Sequence, residues 1–299
     1  MSGSVGVGIY APAGFVVDPQ AIDRAAAWFA GAGHAVVVDR SCRARWQRFS
    51  GNDDERLAAL MRMATDPSVD VAIAARGGYG WSRLLDRIDF AAIATAGKCW
   101  LGHSDFTAFQ LAALAQGGVT TWAGPMAAPD FGVDDVSAYT VAHCWPLQRT
   151  VAHEVEFALG GPDGAFTGTL WGGNLALIAH LVGSRYFPRV DAGVLFVEDI
   201  GEAPYRVERM LQQLHNAGVL ARQQALVFGV FNGFELTAND NGYDLDHVLA
   251  YARARFGVPV YTGLPFGHVR DKLTLPVGGR IELAVRDGRA RLRLHADPR

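Results

Sequence analysis

The chain has 299 residues, half of them hydrophobic and 19% charged, a balance that excludes a disordered polypeptide and allows one large domain or two modest ones. Its formal net charge is −3, too small for a global field that would draw nucleic acid or an acidic membrane surface. No cationic leader with an apolar core opens the sequence, and no apolar run approaches the roughly 18–20 residues that cross a bilayer, so the expected location is cytoplasmic.

The first half alternates short β-rich runs with amphipathic stretches, the pattern of βα units around a parallel sheet. It predicts strands over residues 5–10, 34–39, 69–75 and 99–102, and helices over 21–32, 55–64 and 106–116. Asp53 or Asp54 would cap the second helix, and Gly117-Gly118 would stop the third. Between 145 and 166 the periodicity fades into polar, Gly and Pro residues, which reads as an interdomain connection. Helices are then expected over 174–182, 205–217 and 245–256, and strands over 193–197, 225–231 and 258–262. Val207, Met210, Leu211 and Leu214 fall at i, i+3, i+4 and i+7, one apolar stripe. The tail over 281–294 alternates around Asp287-Gly288, a hairpin signal that puts Arg289, Arg291 and Arg293 on one solvated face. The expected architecture is α/β: an N-terminal doubly wound, mostly parallel sheet domain (residues 1–148), a linker (149–165) and a C-terminal mixed α+β domain (166–299).

Three polar or glycine-rich clusters follow predicted strands, the edge where open α/β sheets bind ligands. Arg76-Gly77-Gly78-Tyr79-Gly80 could be a structural turn or a cradle of backbone N–H groups, but it lacks the Lys-Ser/Thr ending of a nucleotide-binding P-loop. In Gly102-His103-Ser104-Asp105-Phe106, Ser104 stands where a nucleophile elbow would place it, with the next N–H available to an oxyanion. Ser104 or Asp105 could equally be a helix N-cap. Glu198 follows four apolar residues, where a carboxylate needs a partner, and His268 follows Pro265-Phe266-Gly267. Ser…Glu…His is a triad order: a serine hydroxyl needs a base, and the base needs a carboxylate. His103 is a second candidate base, although adjacent strand residues point to opposite faces.

Other chemistry is weakly signalled. Gly6-x-Gly8-x-x-Ala11 resembles a dinucleotide fingerprint, but its glycines fall inside the first strand instead of after it. The nine histidines show no metal-binding spacing. Cys42, Cys99 and Cys144 are widely spaced and odd in number, against a disulfide framework.

The segments R-G-G-Y-G-W-S-R-L-L-D (76–86), G-H-S-D-F-T-A (102–108), W-G-G-N-L (171–175), F-V-E-D-I-G-E-A-P-Y-R-V-E-R-M-L (196–211), G-H (267–268) and L-P-V-G (275–278) together resemble the LD-carboxypeptidase family, which includes microcin-immunity peptidases. The resemblance runs along nearly the whole chain. It implies two domains with the active site between them, Ser104 as nucleophile, Glu198 as acid and His268 as base. It also implies oxyanion donors from Asp105 and from Gly77 or Gly78. The implied reaction is release of a terminal D-amino acid, D-alanine from murein tetrapeptide, without metal or organic cofactor. A homodimer is the family expectation, and the partner is a small peptide. His103 departs from the tyrosine usual before the serine. Arg76, Arg206 and Trp171 are expected near the substrate, the arginines for its carboxylates. Trp81 and Trp171 are the side chains that would stack on a nucleobase if the substrate were a peptide–nucleotide conjugate.

Overall fold

The computed structural model describes residues 4–148 and 152–295. In the first half, β1 (Gly6–Tyr10), α1 (Gln20–Gly31), β2 (Ala35–Val38), α2 (Asp53–Thr65), β3 (Val71–Ala74), α3 (Phe90–Thr95), β4 (Cys99–Gly102), α4 (Phe106–Gly117), β5 (Thr121–Ala123) and α5 (Ala138–Ala142) follow in order. Residues in β1, β3 and β4 are buried throughout, which is why these strands read as unbroken apolar runs. The cap of α2 is Asn52, one residue before the predicted pair: its side chain accepts from Glu55 N–H while Glu55 reaches back to Asn52. Helix α4 ends at Gly118, which adopts φ +60°.

The second half holds β6 (Ala152–Ala158), β7 (Gly164–Asn174), α6 (Leu175–Leu181), β8 (Gly193–Ile200), α7 (Pro204–Asn216), β9 (Gln223–Asn232), α8 (Leu245–Arg255), β10 (Val260–Thr262), β11 (Leu275–Val277), β12 (Arg280–Arg286) and β13 (Arg289–His295). The predicted stripe on α7 is buried as Val207, Met210, Leu211 and Leu214; fully burying such side chains stabilises by about 1.5–3 kcal/mol each.

Among the described residues the strands form two sheets, ordered β11-β5-β4-β3-β1-β2 and β10-β9-β8-β7-β12-β13-β6. In the first, β2, β1, β3, β4 and β5 are mutually parallel, and β11 closes the edge antiparallel to β5. In the second, β7 to β10 run parallel. Strand β7 then turns its first half to an antiparallel partner, β12, which continues through β13 to β6.

Two expectations change. Residues 152–158, read as linker, form the edge strand β6, while 149–151 lie outside the described residues. In β6, Glu154 and Glu156 pair with Arg291 and Arg293 on the solvent face; these charges gave the segment its linker-like composition. The boundary is also crossed, because β11 belongs by sequence to the second half and by hydrogen bonding to the first sheet.

Candidate active site

Three turns meet at the carboxyl edge of the first sheet. Strand β4 passes through His103-Ser104-Asp105 into α4, and Ser104 is held at φ +65°, a left-handed conformation that costs an L-residue roughly 1–2 kcal/mol. The loop after β3 lies against it: a Cβ on Gly77 would fall 2.9 Å from both Cβ and Oγ of Ser104. Only glycine allows that approach. The loop after β1 joins them through Gly14 N–H, which donates to the Gly77 carbonyl at 3.2 Å. The N–H groups of Gly77, Gly78 and Asp105 are not spent on other groups among the described residues.

Asp105 occupies the cap position of α4 but makes no side-chain cap hydrogen bond. Its carboxylate instead accepts Trp81 N–H at 2.9 Å, tying the residue after the serine to the far end of the glycine loop. Burial pushes its pKa up to about 7, with the Trp81 N–H, the Arg56 charge and the Gly80 N–H pulling the other way. Fully buried Arg56 grips the loop from behind, donating to the carbonyls of Pro12 at 2.8 Å and Gly80 at 2.9 Å.

Facing this turn, β8 carries Glu198 near its end, fully buried. The segment after β10 brings His268 over it, with Nδ1 at 2.8 Å from Glu198 Oε2. A carboxylate only accepts, so Nδ1 carries the proton and Nε2 presents a lone pair. Gly267 makes the approach at φ +141°, where a Cβ would sit 3.0 Å from the Val230 carbonyl and 3.4 Å from Glu198 Oε2. Asn232 Nδ2 donates to the His268 carbonyl at 3.0 Å, and Glu198 Oε1 has no partner among the described residues. The ring centroids of His268 and His103 are 5.0 Å apart, which places the imidazole beside the serine turn. No hydrogen bond joins Ser104 Oγ to His268 among the described residues; such bonds often tighten only with substrate bound.

His103 differs from His268 in its burial and in its hydrogen-bond partner. It is buried, and its Nδ1 faces the Gly124 carbonyl at 2.8 Å, so that nitrogen donates. Burial, then the charges of Lys272 and His268, hold its pKa well below the ordinary histidine range. No carboxylate hydrogen-bonds to it among the described residues.

The segment carrying His268 is docked on the first half of the chain. Lys272 Nζ pairs with Asp130 in a buried contact, and Lys272 N–H donates to Thr140 Oγ1 at 3.1 Å. Thr140 Oγ1 donates to the Arg270 carbonyl at 2.8 Å, and Ser137 Oγ to Asp271 at 2.5 Å. Sequence reasoning missed this anchor, although Lys272 is one of only two lysines in an arginine-rich chain, four residues past His268.

The expected substrate side chains fare unevenly. Trp171 is fully buried and donates Nε1–H to Gln223 at 2.8 Å, so it cannot touch a substrate. Trp81 is equally buried, stacked on Phe109 at 4.6 Å, and offers no platform for a nucleobase. Both side chains belong to the core. Arg206 pairs with Glu202 at 3.7 Å and lies over Tyr205 on the solvent face of α7, with no hydrogen bond or ion pair to Ser104, Glu198 or His268 among the described residues. Arg76 alone lies in the site, at the start of the glycine loop. No group of three or more His, Cys, Asp and Glu side chains among the described residues is placed to hold a metal ion, and no helix there is long and apolar enough to cross a membrane.

Residues 7–124 match the LD-carboxypeptidase N-terminal domain and residues 167–283 the LD-carboxypeptidase C-terminal domain. A probable murein peptide carboxypeptidase of Bacillus subtilis is 31% identical over 92% of this chain and 87% of its own. The crystal structure of a muramoyltetrapeptide carboxypeptidase from Oxalobacter formigenes superposes with a TM-score of 0.92 at 44% identity, covering 99% of this chain and 100% of that one. The microcin C7 self-immunity protein of Escherichia coli is 26% identical over 79% of this chain and 76% of its own. With both domains matched and likeness along nearly its whole length, the chain belongs to the LD-carboxypeptidase family and is a serine-type carboxypeptidase.

Proposed function

We propose that the protein hydrolyses the bond between an L-centre and a terminal D-amino acid, releasing D-alanine from murein tetrapeptide. In this reading Ser104 is the nucleophile, His268 the base and Glu198 the acid. The observation that carries it is the 2.8 Å contact between His268 Nδ1 and fully buried Glu198, beside a serine held in a left-handed turn. Glu198 fixes the imidazole tautomer, so Nε2 accepts the Ser104 proton as Oγ attacks the scissile carbonyl. The developing oxyanion takes the Asp105 N–H from one side. From the other it takes the Gly78 N–H, because the Gly77 carbonyl is committed to Gly14 and the trans peptide turns that N–H away from it. Each such donor is worth about 3–4 kcal/mol to the transition state. His268 then protonates the leaving amine, and a water activated by the same imidazole releases the acyl group from Ser104.

Names of relatives support the murein substrate, while the burial of Trp81 and Trp171 removes the feature that would favour a peptide–nucleotide conjugate. The test is mass-spectrometric detection of D-alanine from murein tetrapeptide, comparing wild type with Ser104→Ala. Release that depends on Ser104 is expected; release by the variant at the wild-type rate would overturn the mechanism, and none from folded wild type the substrate.

A further inference from the structure

Several arginines around the first sheet's carboxyl edge have carboxylate partners. Arg56 and Arg83 share Asp53, Arg62 holds Asp39, and Arg87 pairs with Asp54. Arg76 and Arg48 have none among the described residues. Arg76 is half-buried and spends Nη1 on the Phe15 carbonyl at 2.9 Å. Its guanidinium lies against the glycine loop: a Cβ on Gly14 would fall 3.6 Å from its Cζ, and one on Gly78 3.6 Å from Nη2. Arg48 reaches the same place over the ring of Tyr79, with Cζ 5.9 Å from the centroid. Its charge acts on both Arg76 and Asp105. Two like charges are thus gathered beside the glycine loop that approaches Ser104 Oγ, with no carboxylate in salt-bridge contact with either among the described residues.

That arrangement repels itself unless an anion completes it. The substrate of a carboxypeptidase brings one to a fixed distance. Its terminal carboxylate carbon is three bonds from the scissile carbonyl carbon, about 4 Å away in an extended link. A carbonyl seated between Ser104 Oγ and the glycine loop therefore sets this carboxylate about one residue further along the loop, where Nη2 of Arg76 is free.

We propose that Arg76 and Arg48 form the subsite for the terminal carboxylate of the leaving residue, and that this pair restricts hydrolysis to chain ends. The proposal rests on the reaction assigned above to Ser104. Arg76 supplies the directed hydrogen bond and Arg48 the second charge, steadied by Tyr79. Both are specificity-determining residues; the bond-breaking groups are elsewhere.

The experiment compares kcat/KM for murein tetrapeptide with that for the same peptide ending in a carboxamide. Wild type is expected to prefer the free acid strongly. Arg48→Ala and Arg76→Gln each lower kcat/KM for the acid by about 30-fold or more, and leave that for the amide within about 3-fold, so that the preference collapses. The amide reaction shows in the same experiment that fold and catalytic groups are intact. If Arg76→Gln does not fold, Arg48→Ala, on an exposed side chain, decides alone. An unchanged acid preference, or equal losses on both peptides, overturns the subsite, including the case in which the pair binds a different carboxylate of the substrate. If wild type cleaves neither peptide, or both independently of Ser104, the fault lies in the assigned reaction and is separate from the loss of preference tested here.

Discussion

The carboxylate of Asp105 accepts the backbone N–H of Trp81 at 2.9 Å. One residue thus presents its own N–H beside the serine and ties down the glycine loop that faces it.

Asp105→Asn tests that link. The amide still accepts one N–H but cannot balance Trp81 and Gly80 together, so the glycine loop should lose its set position. The expected result is kcat lower by about 10–100-fold with KM changed little, since oxyanion donors act on the transition state. Affinity for a tetrahedral boronate should fall in parallel, whereas a purely structural role would instead lower the midpoint of unfolding.

Glu198→Gln keeps the shape behind His268 and removes the charge. An amide can present either its oxygen or its NH2 to Nδ1, so the tautomer is no longer imposed. We expect kcat to fall by about 10²–10⁴-fold with the fold retained, checked by steady-state kinetics and circular dichroism.

The left-handed turn at Ser104 gives a stability prediction. Glycine is at ease at φ +65°, alanine is not. Relief of roughly 1–2 kcal/mol of strain, less about 0.5–1 kcal/mol of glycine's extra unfolded-state entropy, should leave Ser104→Gly more stable than Ser104→Ala by about 0.5–1 kcal/mol in urea. Both should be inactive.

Lys272→Met strands Asp130 in the interior. Breaking a buried pair typically costs about 3–5 kcal/mol, and here it should also loosen the segment bearing His268, lowering kcat. Adding Asp130→Asn removes the stranded charge yet keeps an acceptor for Met126 N–H, which Asp130 now receives at 2.7 Å. The double variant should recover most of the lost stability, measured by denaturant unfolding.

Burial of His103 sets the sign of one contribution to the pH dependence of stability. Its pKa is depressed in the folded protein, so acid favours the unfolded chain. The stability contribution is complete above the unfolded value near 6.5 and is lost as pH falls below it, at about 1.4 kcal/mol per pH unit until the folded group also titrates. His103→Phe should flatten the acid side of the stability profile in that window.

Most helices and buried strands were legible because amphipathic helices such as α7 repeat at the helical period and fully buried strands are short unbroken apolar runs. Part of the site's geometry was legible too: Ser104 does stand at a strand-to-helix turn, and the carboxylate of Glu198 behind its apolar run does have a partner, His268. What escaped was set by tertiary context. Strand β6 alternates Val155 and Phe157 with Glu154 and Glu156, but its charges suit a linker as well as a solvent face. Strand β5 has three residues, too few for a period. Trp171 looked available to a ligand because sequence shows its polar edge and not Gln223, the partner that consumes it. The carboxylate of Asp105 looked like a cap because helix caps are local and its true partner is 24 residues upstream.

The pairing of β11 with β5 has a consequence during synthesis. The edge that β11 covers is complete at Ala123, but its cover is not made until Leu275, about 150 residues later. At roughly 5–20 residues per second, a nascent chain leaves the ribosome with that open edge for on the order of 10–30 s. During this interval the edge is open to pairing with a neighbouring chain on the same message, so closer spacing of ribosomes on the transcript should lower the yield of folded protein.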